Sequence, residues 1–212
     1  MESKNRSDLK VVKRIVIALI IVAAVSGIAL LVIQGIEKKN KEQKEKETVP
    51  PRSYHYYSED YEEDIFANEE YMNLDRSINY SIPAMGTTES LDEKSVQSKS
   101  EAVRFFYEYF QTLLRGDAKT YNSYLSATYL TQEGNFAYDA FTPQKIYNIT
   151  FYQDTDSSTE KDEVWVLEYM IFQNNGSFRT DIGSDMIRPV YVTISKYGAE
   201  YKIDRIVYYR SY

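Results

Sequence analysis

The sequence predicts an α+β domain that follows an N-terminal transmembrane helix, and three patterns support this fold class. Residues 15–36 form an uncharged, largely apolar run, and apolar residues recur at three- and four-residue steps through residues 102–113. From residue 146 onward, apolar and polar residues alternate. These are the periods of a membrane span, an amphipathic helix and half-buried strands. We therefore expect a helical hairpin packed on a four-stranded antiparallel sheet.

Composition narrows the chemistry that the chain can perform. Its 212 residues carry a net charge of −7, with 21 tyrosines, one histidine and no cysteine. The lack of cysteine excludes a disulfide scaffold, a thiolate zinc site and a cysteine nucleophile. A single histidine, His55, argues against a His-based triad or a multi-histidine metal site. The acidic balance argues against nucleic acid as a partner, because phosphate contacts need clustered Lys and Arg. We expect no enzymatic activity, with no catalytic, cofactor-binding or metal-binding residue.

The apolar run begins at Ile15, ends at Ile36 and contains 22 consecutive uncharged residues. A helix of this length spans about 33 Å, which matches a hydrocarbon core of ~30 Å. The run is longer than the apolar region of a cleaved secretory signal, and a lipoprotein signal would require a cysteine. The sequence therefore predicts contact with the lipid bilayer through residues 15–36.

The orientation of this helix follows from its flanks. Residues 1–14 carry five basic side chains, but five lysines also lie between residues 38 and 46, so the charge count nearly ties. A short basic tail before a long domain is typical of a signal anchor. We predict a single-pass protein of the cell membrane, with residues 1–14 cytoplasmic and the C-terminal domain extracytoplasmic.

Residues 37–94 are predicted to be a linker, charged at first and then acidic and aromatic. Within it, residues 54–75 contain eight acidic residues and five tyrosines but no Lys or Arg. This segment either packs partly on the domain, or docks on a partner and becomes ordered there, or is a flexible acidic spacer. The partner would be another protein or a second copy of the chain. The candidate docking residues are Tyr54, Tyr56, Tyr57, Tyr61, Phe66 and Tyr71.

The predicted domain covers residues 95–212 and begins with two helices. Ser98 and Glu101 form a capping-box pattern at the start of the first helix. Gly116 supplies the left-handed residue that ends this helix, and Asp117 is the expected N-cap of the second. The apolar face of the first helix consists of Ala102, Phe106, Tyr109, Phe110 and Leu113.

Four strands are predicted after these helices, over residues 146–152, 164–172, 188–195 and 201–209. Residues 164–172 are apolar on both faces, which is typical of a central strand. Glu168 and Tyr169 in this strand are the candidates for a buried polar pair in a pocket. The simpler interpretation is that Glu168 faces solvent while Tyr169 is a core aromatic with a bonded hydroxyl.

Two phrases carry a family resemblance, EAVRFFYEYFQTLLRGDAKTYNSYLS and EYKIDRIVYY. With the order of elements, they resemble the nuclear-transport-factor-2-like (cystatin-like) superfamily over residues 95–212. The resemblance implies a strongly curved sheet that wraps around a long helix to form a cone. Ketosteroid-isomerase-like enzymes of that superfamily use an Asp base with a Tyr donor. An anchored domain of this kind also resembles uncharacterised Gram-positive membrane proteins and TcpC-type conjugation subunits.

These observations predict a membrane-anchored, non-catalytic interaction module with an undefined role in the cell envelope. One alternative is a structural subunit of a Gram-positive conjugation or type IV secretion complex. Another is a small-ligand-binding cone, which requires an open pocket between helix and sheet. An isomerase-like enzyme would further require Glu168 or an Asp in that pocket beside a Tyr hydroxyl.

Overall fold

A six-stranded mixed sheet organises residues 54–208, the part of the chain that the structure, a computed structural model, describes. The strands lie in the order β2-β1-β3-β4-β5-β6. β1 and β3 are parallel, and every other neighbouring pair is antiparallel. The strands are β1 (Ile78–Ile82), β2 (Thr87–Leu91), β3 (Ile146–Asp154), β4 (Asp162–Ile171), β5 (Val190–Tyr197) and β6 (Glu200–Tyr208).

The α-helices of this part of the chain are α1 (Glu69–Met72), α2 (Glu101–Arg115), α3 (Ala118–Tyr124) and α4 (Ala127–Leu130). Short 3-10 turns occupy Ile65–Ala67, Pro83–Met85 and Ser95–Ser98. α2 to α4 fall between β2 and β3, and this connection returns the chain to pair β3 in parallel with β1. Parallel neighbours need a long crossover of this kind.

The α+β class is confirmed, but the predicted four-stranded antiparallel sheet is wrong. Two further strands, β1 and β2, come from the segment that the sequence suggested to be linker, and β1 makes the sheet mixed. The error has a physical cause. Of the ten residues in β1 and β2, only Ile78 and Leu91 are buried, so neither strand shows a clear apolar alternation.

The predicted transmembrane helix at residues 15–36 and the tail at residues 1–14 lie outside the described residues. Within residues 54–208, no helix has both the length and the apolar character needed to cross a bilayer. The fold described here is therefore that of the domain alone.

The predicted limits of α2 are confirmed at its C-terminal end. Gly116 has a φ of 65° in the left-handed region, and its N–H donates to the carbonyl of Leu113. Asp117 then caps α3 by accepting from the N–H of Thr120 at 2.9 Å. At the other end the N-cap is Ser100 rather than the expected Ser98. The Ser98 hydroxyl instead donates to a carbonyl of its own 3-10 turn.

Aromatic rings fill the space between α2 and the centre of the sheet. Phe106 of α2 lies 5.0 Å from Trp165 of β4, measured between ring centroids. Phe110 lies 5.7 Å from Phe151 of β3 and 5.9 Å from Tyr169 of β4. All five rings are at most 2% exposed. Such pairs stabilise a core by about 0.5–1.5 kcal/mol each beyond the burial of their area.

We expect the substitution Gly116→Ala to lower the free energy of unfolding by about 3 kcal/mol. A Cβ at this position would lie 2.6 Å from the backbone nitrogen of Pro143, and the left-handed φ adds strain. Gly198→Ala is the matched control, because φ is +69° there but nothing lies within 4 Å of the added Cβ. Its cost should be about 1 kcal/mol. Equal losses in urea unfolding would show that contact with Pro143 contributes nothing.

Candidate interaction surface

The acidic and aromatic segment, residues 54–66, begins by packing on the connection between β4 and β5. The Tyr56 hydroxyl donates to the carbonyl of Thr180 at 2.6 Å. The backbone N–H of Tyr57 donates to the carbonyl of Asn174 at 3.0 Å. Both contacts join residues more than a hundred positions apart in sequence, so this end of the segment is part of the tertiary structure.

The far end of the segment, with α1 behind it, is also attached to the domain. Ile65 is 2% exposed and Tyr71 is fully buried. The Tyr71 hydroxyl donates to the carbonyl of Ile146 at 2.8 Å. Lys145 Nζ and Glu63 Oε1 form an ion pair at 2.6 Å. Of the three interpretations of residues 54–75, partial packing on the domain therefore describes the structure.

Between these two attachments, three aromatic rings face solvent. Tyr57 and Phe66 are each 50% exposed and Tyr61 is 49% exposed. Carboxylates surround them, and several brace the local backbone. For example, Asp64 Oδ1 accepts from the N–H of Phe66 at 3.1 Å. We call this set the acidic-aromatic surface, and it consists of Tyr57, Glu59, Asp60, Tyr61, Glu62, Asp64 and Phe66.

The six predicted docking residues thus divide into three groups. Tyr57, Tyr61 and Phe66 belong to the acidic-aromatic surface. Tyr54 and Tyr56 are half-buried and hold the segment against the domain, and Tyr71 is a core residue. His55 is exposed, with its ring 6.5 Å from that of Tyr57.

The predicted polar pair is not brought together. Tyr169 is 1% exposed and points into the core, whereas Glu168 is half-buried on the opposite face of β4, across from Thr150 of β3. Successive side chains in a strand point to opposite faces. Glu168 and Tyr169 therefore do not share a pocket.

A buried guanidinium is the main polar feature that the sequence did not indicate. Arg179 is 1% exposed, and its Nε and Nη2 donate to the carboxylate of Asp181 at 2.6 and 2.7 Å. Its guanidinium carbon lies 5.4 Å from the Tyr169 ring and 4.7 Å from the Tyr208 ring. Arg188 Nη1 approaches the same carboxylate at 3.3 Å. This arrangement fixes the β4–β5 connection on the core, and no motif near Arg179 signals it.

Two further findings bear on function: the spacing of possible metal ligands and the comparison with known proteins. In residues 54–208, no three His, Asp or Glu side chains are grouped as a metal site would require. No family model, curated protein or solved structure matches this chain. The arrangement of side chains in the domain is therefore the main guide to function.

Proposed function

We propose that this chain is a single-pass, membrane-anchored and non-catalytic interaction module whose acidic-aromatic surface binds a basic partner protein outside the cytoplasm. The observation that carries the proposal is the set of half-exposed rings, Tyr57, Tyr61 and Phe66, held among carboxylates on a segment attached at both ends. Aromatic residues commonly provide most of the binding energy at protein interfaces. The surrounding negative charge favours partners rich in Lys and Arg and speeds their association.

Sequence evidence supports the membrane part of the proposal. The apolar run of residues 15–36 has the length of a bilayer-spanning helix, and the short basic tail before it favours a cytoplasmic N-terminus. An anchored domain works at high local concentration beside its membrane neighbours. Modest affinity at the acidic-aromatic surface is then sufficient for stable association.

The polar side chains of the core favour binding over catalysis. Isomerase-like chemistry at the predicted pair needs an acid and a Tyr hydroxyl in one cavity, and Glu168 and Tyr169 face opposite ways. The most buried charged side chain, Arg179, is engaged with Asp181. Neither the pair of Glu168 and Tyr169 nor Arg179 is therefore positioned to act on a substrate.

Photo-crosslinking in the producing cells tests the proposed surface in the full-length chain. With a photoreactive phenylalanine analogue in place of Tyr61, we expect irradiation to yield a discrete protein adduct. The combined substitutions Glu59→Gln, Asp60→Asn and Glu62→Gln should reduce that adduct about tenfold. Amides remove the charge but keep the oxygen atoms that accept hydrogen bonds in the segment.

The control places the same analogue at Tyr197, which is 47% exposed at the far end of β5. That position should give no adduct of the same mass. The proposal is wrong if Tyr61 yields no adduct, or if the adduct is unaffected by the three amide substitutions.

A further inference from the structure

A cleft of about 480 Å³ lies between α2, the adjoining ends of β1 and β2, and the chain that leads from α1 into β1. The acidic-aromatic surface contributes only Phe66 to it. The volume falls within the range of small-molecule sites, about 300–1,000 Å³. Polar side chains make up as much of its lining as apolar ones do, with Asp75, Arg76, Ser77, Ser90 and Gln111 beside five hydrocarbon side chains and two tyrosines.

Arg76 is the only basic side chain lining this cleft, and its guanidinium forms no hydrogen bond within residues 54–208. Its Nε is buried and has no hydrogen-bond partner. Within residues 54–208 it forms no ion pair. Its guanidinium carbon lies 6.0 Å from the Phe66 ring and 5.8 Å from the Tyr71 ring. Rings stabilise the flat faces of a guanidinium but accept little at its N–H edge.

We propose that this cleft binds a carboxylate that carries an apolar group, with the carboxylate on the free edge of Arg76. A guanidinium edge matches two carboxylate oxygens in a planar, bidentate geometry. The buried Nε lacks an acceptor, which is costly, and the two Nη atoms of the same guanidinium are the donors that a carboxylate in the cleft can reach. The site shares only Phe66 with the acidic-aromatic surface, and either proposal can fail without the other.

Neighbouring charges favour a singly charged anion. Asp75 also lines the cleft, and hydrogen bonds from Ser77 lower the pKa of its carboxyl, which therefore stays ionised. Burial raises the pKa of the Tyr107 hydroxyl at the cleft wall, and the negative charges of Glu93, Glu108 and Asp92 raise it further. One guanidinium balances one carboxylate in this field, whereas a phosphate dianion would be repelled.

The rest of the cleft indicates what the carboxylate is attached to. Leu74 and Leu114 offer apolar contact, and Ser90 and Gln111 offer hydrogen-bond donors beside it. A capped or free aliphatic amino acid has the matching chemistry: one carboxylate, one amide or amine and one branched apolar side chain. Its size also suits the cleft.

Titration of the full-length protein in detergent, followed by amide NMR, tests the site. The probe is N-acetyl-leucine, and its matched neutral control is N-acetyl-leucinamide. We expect saturable shifts at Ser77, Ser90 and Gln111 with the acid, and about tenfold weaker binding of the amide. Inorganic phosphate should give no comparable shifts. The proposal fails if the acid does not bind, if acid and amide bind equally, or if phosphate binds as well as the acid.

Substitutions test whether Arg76 is the charged group that binds the carboxylate. Arg76→Gln should abolish the difference between acid and amide, and Arg76→Lys should restore only part of it because an ammonium lacks the planar edge. Arg115→Gln is the control, since Arg115 is exposed at the end of α2. Unchanged acid binding in a folded Arg76→Gln protein would overturn the assignment. If that variant does not fold, the comparison of acid with amide in the unaltered chain decides.

Discussion

Raising the pH above 10 is expected to unfold the domain in one cooperative step, because its buried tyrosines resist ionisation. Burial raises the pKa of Tyr71, Tyr109 and Tyr121 above the ordinary value of 10.0. In the unfolded chain the same hydroxyls lose their protons near that value. Stability is therefore complete below it and is lost as the pH rises toward the higher pKa values of the folded state. Each group removes about 1.4 kcal/mol by one pH unit above its unfolded pKa, so these three together remove about 4 kcal/mol.

Circular dichroism and tyrosinate absorbance, recorded together against pH, check this expectation. The absorbance should show a step at the midpoint of the circular dichroism change, because the buried hydroxyls ionise only on unfolding, and exposed tyrosines add absorbance outside that step. Tyr121→Phe removes one of the three hydroxyls and should move the midpoint to higher pH. Tyr57→Phe, at an exposed ring, should leave it in place. Absence of an absorbance step at the unfolding midpoint would contradict the role of burial.

Loss of the carboxylate at Asp181 is expected to lower the free energy of unfolding by about 3 kcal/mol. The substitution Asp181→Asn would leave the fully buried Arg179 without its counter-charge and with Arg188 still nearby. Breaking one side of a buried pair costs more than the pair itself contributes, because the remaining charge has lost its water. Asp181 keeps 21% of its side-chain surface exposed, which holds the effect at the lower end of the usual range.

Two further variants separate this explanation from a simple lost contact. Adding Arg179→Met to Asp181→Asn should recover part of the stability, because no buried charge then remains. Glu89→Gln breaks the ion pair between Glu89 and Lys99, whose side chains are 49% and 24% exposed, respectively. This substitution should lower the free energy of unfolding by less than about 1 kcal/mol. Urea unfolding measures all three proteins. If the double variant is less stable than Asp181→Asn alone, the buried charge is not the cause.

The parts of the fold that were predicted correctly are those with strong local signals. α2 combines an apolar face at helical spacing with a left-handed glycine at its end, and both are determined by neighbouring residues. β3 and β5 alternate because one face of each meets the core, and β4 is recognisable because it is apolar on both faces. In these segments the local pattern and the tertiary environment agree, so the sequence alone is informative.

The first two strands were missed because pairing, not apolar character, defines them. β1 reads INYSI and β2 reads TTESL, and their partners across the sheet supply most of their hydrogen bonds. Pro83 and Gly86 lie in the turn between them, and such a composition fits the inside of a linker as well as a turn between two short strands. A hairpin of two such polar strands carries no apolar signal of its own, although β1 lies inside the sheet and only β2 is at its edge.

The candidate sites also divide into those that the sequence indicates and those that only the fold brings together. Exposed aromatic residues among acids are visible in the sequence as composition, and residues 54–75 were singled out for that reason. Arg76 and Arg179 were not singled out, because their surroundings are formed by residues from other segments of the chain. The aromatic ring beneath Arg179 belongs to Tyr169, in a different strand, and the cleft of Arg76 needs α2 and β2 to close it. Contacts of this kind, between segments that are far apart in sequence, leave no periodic pattern in the sequence.

The parallel pairing of β1 with β3 also has a consequence for the order of events during synthesis. Asn79 donates to the carbonyl of Ile149, which lies 70 positions later in the chain, so β1 waits for its neighbour until the ribosome has made the whole helical connection. Closing so large a loop is slow relative to forming local hairpins and helices. We expect the amino-terminal hairpin, although it is the first to emerge, to be the last to join the sheet. During that interval the inner edge of β3 is open, and a nascent chain is then most in need of protection from its neighbours.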